Sequence, residues 1–197
     1  MILCIADMLP HELLEEARKI FDRNEFESGG ATAAWHTKTI KRNLQLPAGQ
    51  PAIQVLEEKF LSHIAAHRMM LMAALVKRFG PLLFNRYESG MFFGSHVDEP
   101  ILGLTPNSGG AMRPDISFTV FLSDPESYDG GELVIESTSG EQVYKLQAGQ
   151  AVLYPSASLH RVNAVTRGFR DAAIGWIQSF VRNAGQREIL FELDNVR

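Results

Sequence analysis

Apolar positions near the start of the chain recur at helical spacing, and beyond residue 80 they give way to short alternating runs. Leu13, Leu14, Ala17, Ile20 and Phe21 share one face of a 3.6-residue repeat, which predicts a helix over residues 9–23 with Pro10 in its first turn. A second helix is predicted from about Pro51, with Val55, Leu56, Phe60 and Ile64 as its apolar stripe. Residues 24–50, carrying Gly29, Gly30, Pro47 and Gly49, read as loop or weakly extended chain, and residues 69–79 admit either a strand or a continued helix. After Gly80-Pro81, strands are predicted at residues 82–87, 91–98, 116–122, 133–136, 142–146, 151–154, 160–164 and 172–180, with a polar, glycine-rich loop over 106–114. Asp129-Gly130-Gly131 reads as a hairpin turn. Helices followed by many short strands point to an α+β fold: a double-stranded β-helix (jelly-roll or cupin-like) core with the N-terminal helices packed outside. The expected organisation is one domain spanning 1–197, helical over about 1–80 and β over about 82–182.

Composition narrows the function more than the fold. Apolar residues make up 45% and charged residues 21%, and the net charge of -4 leaves no basic footprint for nucleic acid. The single cysteine, Cys4, excludes an intramolecular disulfide and a cysteine-rich zinc site, and reads as a small apolar residue. No run approaches the roughly 20 apolar residues needed to span a bilayer, and the first residues lack the pattern of a secretory signal. The expectation is a cytoplasmic protein without membrane partners. The oligomeric state is left open, a homodimer included.

The chemistry concentrates in Gly94-Ser95-His96-Val97-Asp98. On a strand, residues two apart share a face, so His96 and Asp98 can point at one cation. His160, beyond the strand 151–154, is the best candidate for a third ligand. Two histidines and one carboxylate, with adjacent positions open, form the facial triad of non-haem iron(II) oxygenases. A lone His-x-Asp occurs in many strands by chance, so the argument needs a further group. Arg170 supplies it: its alternate neighbours Ala172, Ile174 and Trp176 turn its face of the strand inward. An inward arginine needs an anion, either a dicarboxylate ligand gripped by the guanidinium fork or a buried acidic side chain. His63 and His67 stand four apart, as helical zinc ligands can, but without a catalytic glutamate between them they read as a solvated helix face. His11 and His36 join no constellation.

The stretches LFNRYESGMFFGSHVDEPI, RPDISFTVFLSDPESYDGGELVIE, AGQAVLYPSASLHRVNAVTRGFR and WIQSFVR resemble, in this order, the PKHD-type hydroxylases, a bacterial branch of the prolyl-hydroxylase-like Fe(II)/2-oxoglutarate-dependent dioxygenases. The resemblance implies that His96, Asp98 and His160 hold iron(II). It implies that Arg170 binds the distal carboxylate of 2-oxoglutarate, with Tyr87 beside the co-substrate. The implied partners are 2-oxoglutarate, O2 and a peptide, protein or small-molecule substrate that no residue identifies; succinate and CO2 are the co-products, and L-ascorbate is an expected reductant. Trp176 is expected to wall the pocket or pack in the core, Arg113 to order a loop by pairing with Asp115, and Asp129-Gly130-Gly131-Glu132 to serve structure. Phe118, Asp171 and Glu99 depart from the family pattern, and Phe118 is expected to narrow the co-substrate pocket. Two rival classes remain at this point: a cupin-type oxygenase that does not use 2-oxoglutarate, and a non-catalytic metal- or 2-oxoglutarate-binding module.

Overall fold

The computed structural model describes residues 1–31, 38–103 and 110–196, so His36 and residues 106–109 of the 106–114 loop lie outside the described residues. Strand β1 (Leu3–Ile5) leads into α1 (His11–Arg23), whose buried Leu13, Ala17 and Phe21 confirm the helical repeat. The weakly extended stretch forms three two-residue strands, β2 (Glu27–Ser28), β3 (Lys41–Arg42) and β4 (Leu44–Gln45). Helix α2 (Pro51–Ala66) buries Ile53, Leu56, Phe60 and Ile64. Val55, expected in that stripe, is 48% exposed, because the true stripe steps by three and four from Ile53. Helix α3 (Arg68–Ala74) ends where Leu75 turns into the left-handed region at φ 45.

Strand β5 (Val76–Glu88) therefore begins at Val76, ahead of the strand start expected at residue 82. It crosses that pair through a register shift: Leu82 faces Gly175 while Phe79 faces Ile177. Three steps on one strand oppose two on the other, so the proline, which has no N–H to donate, sits in a bulge. The remaining strands are β6 (Phe92–His96), β7 (Ile116–Phe121), β8 (Asp129–Gly130), β9 (Leu133–Ser137), β10 (Gly140–Tyr144), β11 (Ala151–Pro155), β12 (His160–Val162), β13 (Val165–Arg167) and β14 (Phe169–Ser179). The base of the 106–114 loop is closed by Leu102 and Met112, which exchange backbone hydrogen bonds of 2.8 and 2.9 Å. Helix α4 (Ala184–Asn195) was not expected. Its N-terminus is capped by the Asn183 side chain, which accepts from the Gln186 N–H at 3.0 Å.

Two sheets face one another. The larger runs β1-β11-β7-β14-β5-β4-β2 and the smaller β10-β9-β12-β6-β3. This is the jelly-roll core expected from the sequence. The larger sheet has two working faces. Phe118, Val120, Ala173 and Ile177 join Leu56, Phe60 and Ile64 in a core against the helices, whereas Phe121, Tyr87 and Tyr154 face the smaller sheet. Asp129-Gly130-Gly131 is no hairpin turn. Asp129–Gly130 pairs with β13, and Asp129 accepts from Arg167 Nε at 2.7 Å. Gly130 and Gly131 hold positive φ of 73 and 68 as the chain passes between the sheets. Cys4 lies exposed on β1, an edge strand, and is not in the core.

Strand alternation overturns the expectation for Phe118. Its ring is fully buried on the helix side, edge-on to Phe79 at 6.4 Å, and would clash with any Cβ added at Gly175, 2.4 Å from its Cζ. It does not reach the space between the sheets. Asp171 also faces outward, where it accepts from Arg86 Nε and Nη2 at 2.8 Å each. Truncating Phe118 to alanine is expected to lower unfolding free energy by about 3–5 kcal/mol in urea titrations, as for a fully packed aromatic. A loss below about 1 kcal/mol would remove the ring from the core.

Candidate active site

Three potential metal ligands converge between the sheets. Those of His96, Asp98 and His160 all lie within 4.8 Å of one another, and among the described residues they are the group that could hold a metal ion. His160 stands opposite His96 in the β12–β6 ladder. The ladder slips by one residue before the next pair, Val162 with Phe93. That extra residue brings Phe93 onto the same face as His96, and the two rings stack at 3.6 Å and 17°. Asp98 is not on the strand, as the spacing argument had it: β6 ends at His96. Its N–H donates to the Ser156 carbonyl at 3.2 Å instead, fixing the carboxylate from the next turn.

The hydrogen bonds around the histidines set their tautomers. Nδ1–H of His96 donates to the Gly94 carbonyl at 2.8 Å, and Nδ1–H of His160 to the Ser158 carbonyl at 3.0 Å. Each Nε2 then keeps a lone pair facing the partner ligands. Burial, then the neighbouring His160, push His96 down to about 4, which keeps its imidazole neutral at physiological pH. Ser117 donates to Asp98 Oδ2. A serine has one proton, so Ser156 Oγ, 2.8 Å from Ser117 Oγ, supplies the other hydrogen bond. Sequence reasoning missed both serines, since nothing in a strand's apolar pattern marks which serine lies under a carboxylate.

Arg170 lies further along the same pocket. It is 1% exposed, and its Nε, Nη1 and Nη2 have no hydrogen-bond partner among the described residues. Among the described residues no acidic side chain pairs with it, which was the rival expectation; its guanidinium carbon sits 5.3 Å from the ring centroids of both Tyr87 and Phe121. Gly131 lets the chain pass close, because a Cβ there would come within 3.2 Å of Arg170 Cδ. Tyr87, opposite Arg170 in the ladder, is fully buried with an unsatisfied hydroxyl. Burial pushes that phenol up to about 12, so it stays a proton donor. Tyr128, unflagged by the sequence, is equally buried and unsatisfied; burial pushes it up while the nearby Arg170 charge draws it down. Unpartnered buried donors beside a cation describe a preorganised anion site. A small dicarboxylate would answer them, and the donor set across from it suits a divalent metal.

A pocket lies between these groups, lined by the three potential metal ligands, Tyr87 and Arg170. Thr119, Tyr154 and Trp176 help to wall it, so Trp176 lines the pocket and does not serve the core alone; its buried Nε1–H has no partner among the described residues. Arg113 donates to Asp115 at 2.7 and 2.9 Å, the expected ion pair. His67 breaks the chain between α2 and α3, so it and His63 do not share a continuous helix face.

Residues 82–178 match the 2OG-Fe(II) oxygenase superfamily. The whole chain is 45% identical to a PKHD-type hydroxylase of Synechococcus sp. (strain JA-2-3B'a(2-13)), covering 87% of that protein. It is also 45% identical over 195 residues to a PKHD-type hydroxylase of Paraburkholderia phymatum, covering 98% of this chain and 86% of the relative. In fold it resembles a Pseudomonas putida prolyl-4-hydroxylase, with TM-score 0.65, 22% identity and coverage of 90% and 92%. It also resembles HygX from Streptomyces hygroscopicus, solved with nickel and 2-oxoglutarate bound, with TM-score 0.59, 17% identity and coverage of 91% and 83%.

The lowered pKa of His96 makes a prediction for the metal-free protein. Unfolded, the imidazole titrates near 6.5; folded, near 4. Between those values the unfolded chain binds more protons, so stability falls as pH drops from about 6.5 to about 4. Urea midpoints compared at pH 7 and pH 5 should show the loss, and His96→Gln should flatten it. An unchanged pH slope in the variant would contradict the burial of this ring.

Proposed function

The chain belongs to the PKHD-type hydroxylases of the 2OG-Fe(II) oxygenase superfamily and is an iron(II)- and 2-oxoglutarate-dependent dioxygenase; from that premise we propose that His96, Asp98 and His160 are its iron ligands and that Arg170 and Tyr87 bind the co-substrate. The observation that carries this reading is the buried guanidinium of Arg170, which has no hydrogen-bond partner among the described residues. A cupin-type oxygenase without 2-oxoglutarate would have no use for it, and an unpaired buried cation is costly unless a ligand completes it.

Each side chain then has a task. His96 and His160 offer Nε2 because their Nδ1–H groups are held by backbone carbonyls. Ser117 turns the Asp98 carboxylate and occupies its Oδ2. Arg170 grips the distal carboxylate of 2-oxoglutarate, and the Tyr87 hydroxyl donates to it. Trp176, Leu133 and Val162 exclude water from the space between. Iron, when bound, supplies the oxygen activation coupled to decarboxylation of 2-oxoglutarate to succinate and CO2; the protein's part is to position the reactants. The product is a hydroxylated peptide, protein side chain or small molecule. Ascorbate serves as the reductant that maintains iron(II), and the cytoplasm is the proposed location; among the described residues no helix is long and apolar enough to cross a membrane.

Substituting His96 or Asp98 by alanine should abolish 2-oxoglutarate-dependent succinate formation. Undiminished iron-dependent turnover in either variant would sink the ligand assignment. Arg170→Ala should mainly raise the 2-oxoglutarate KM, by at least about tenfold for the loss of a charged hydrogen-bond pair. An unchanged KM would take Arg170 out of that role.

A further inference from the structure

Asp98 lines two spaces at once: the pocket that reaches Arg170 and a groove open to solvent. Val97, Pro100, Ile101 and Pro114 give the groove apolar walls, and Val97 and Ile101 are 46% and 43% exposed. The charged part of its lining is basic. With Asp98 assigned to the metal, Arg113, Arg182 and Arg187 stand against Glu99 and Asp115.

The three arginines are not equivalent. Arg187 is buried and turns its guanidinium to backbone: Nη1 donates to the Val181 and Arg182 carbonyls at 2.8 and 2.9 Å, and Nη2 to the Asp115 carbonyl at 3.4 Å. Arg113 is engaged by the Asp115 carboxylate, which also accepts from the Ser179 N–H at 2.9 Å. Arg182 differs from both. Its carbonyl is pinned by Arg187 just before the Asn183 cap of α4, so its backbone is fixed. Its side chain is exposed and has no ion-pair or hydrogen-bond partner among the described residues. Residues 32–37, 104–109 and 197, outside the description, contain neither Asp nor Glu. The buried Arg187 thus holds an unpaired cation on the wall of the groove.

Resting on the iron/2-oxoglutarate reading, we propose that this groove binds a polypeptide substrate and that Arg182 is a specificity-determining residue, reading an acidic side chain close in sequence to the residue that is hydroxylated. The co-substrate fills the pocket toward Arg170, so the reacting residue enters past Asp98 from the groove. A small-molecule site encloses its ligand and fixes it through several buried polar groups. This groove is open and walled by aliphatic side chains and prolines, with its unpaired charge exposed. Such a surface suits an extended chain that lays apolar residues along the wall and sets an acid against Arg182.

The test uses the full chain loaded with iron(II) and 2-oxoglutarate, without oxygen. The probes are pools of short capped peptides, randomised among uncharged residues and carrying a glutamate, a glutamine or a lysine at one fixed position. Ultrafiltration followed by mass spectrometry measures which peptides the protein retains. The wild type should retain the glutamate pool at least about threefold more strongly than the glutamine pool, the worth of a solvent-exposed ion pair. That preference should shrink as salt is raised. Arg182→Lys should keep it, Arg182→Gln should lose it, and Arg182→Glu should turn it toward the lysine pool, a reversal that an unfolded chain could not show. Equal retention of the glutamate and glutamine pools by the wild type, or an unchanged preference in Arg182→Gln and Arg182→Glu, would overturn the proposal. So would retained glutamate peptides that leave the visible charge-transfer band of the 2-oxoglutarate chelate unperturbed, since they would be bound away from the metal. Absence of any band when the wild type meets 2-oxoglutarate would instead remove the underlying reading, and the proposal with it.

Discussion

The site depends on one buried guanidinium. Arg170 sits between two sheets with aromatic rings beside it and, among the described residues, no hydrogen-bond partner for its nitrogens. Folding alone gives no reason to place a charge there, because desolvation outweighs what the ring faces return. Its position makes sense when an anion completes it. The fold holds this strained arrangement by stiff means: β14 is paired on both sides, to β5 and to β7, along most of its length. The stability of the large sheet keeps a cation in place that a looser element would release to solvent.

The metal side is built differently. His96 and His160 are locked by adjacent strands, but Asp98 hangs just past a strand end, held by the Ser156 backbone and the Ser117 hydroxyl. One extra residue in the β6–β12 ladder turns Phe93 to the same side as His96, stiffening the ring. Rigid histidines and an adjustable carboxylate allow the three donors to converge on one ion without demanding an ideal strand.

Much of this was legible in the chain itself. The period of the apolar residues located α1 and α2, and alternation along β14 correctly turned Arg170, Ala172, Ile174 and Trp176 inward. The same alternation, applied to β7, would have sent Phe118 the other way; likeness to relatives had suggested a pocket role that its strand face forbids. Sequence reasoning failed where single residues reset the geometry. Leu75 takes a left-handed turn that no composition signal marks, and the Gly80-Pro81 bulge lets a strand run through what looked like a boundary. Ser117 and Tyr128 stayed hidden for another reason. Each is an ordinary residue type whose importance comes from what the second sheet, or the crossing chain, places next to it.

The central claim is that the buried end of the pocket is completed by the distal carboxylate of 2-oxoglutarate. Calorimetric titration of the metal-loaded protein with 2-oxoglutarate and with 2-oxobutyrate, which keeps the keto acid and lacks that carboxylate, measures this directly. The account predicts that 2-oxobutyrate binds at least about tenfold more weakly to the wild type, and that Arg170→Ala erases most of the difference. Equal affinities for the two keto acids in the wild type would contradict it.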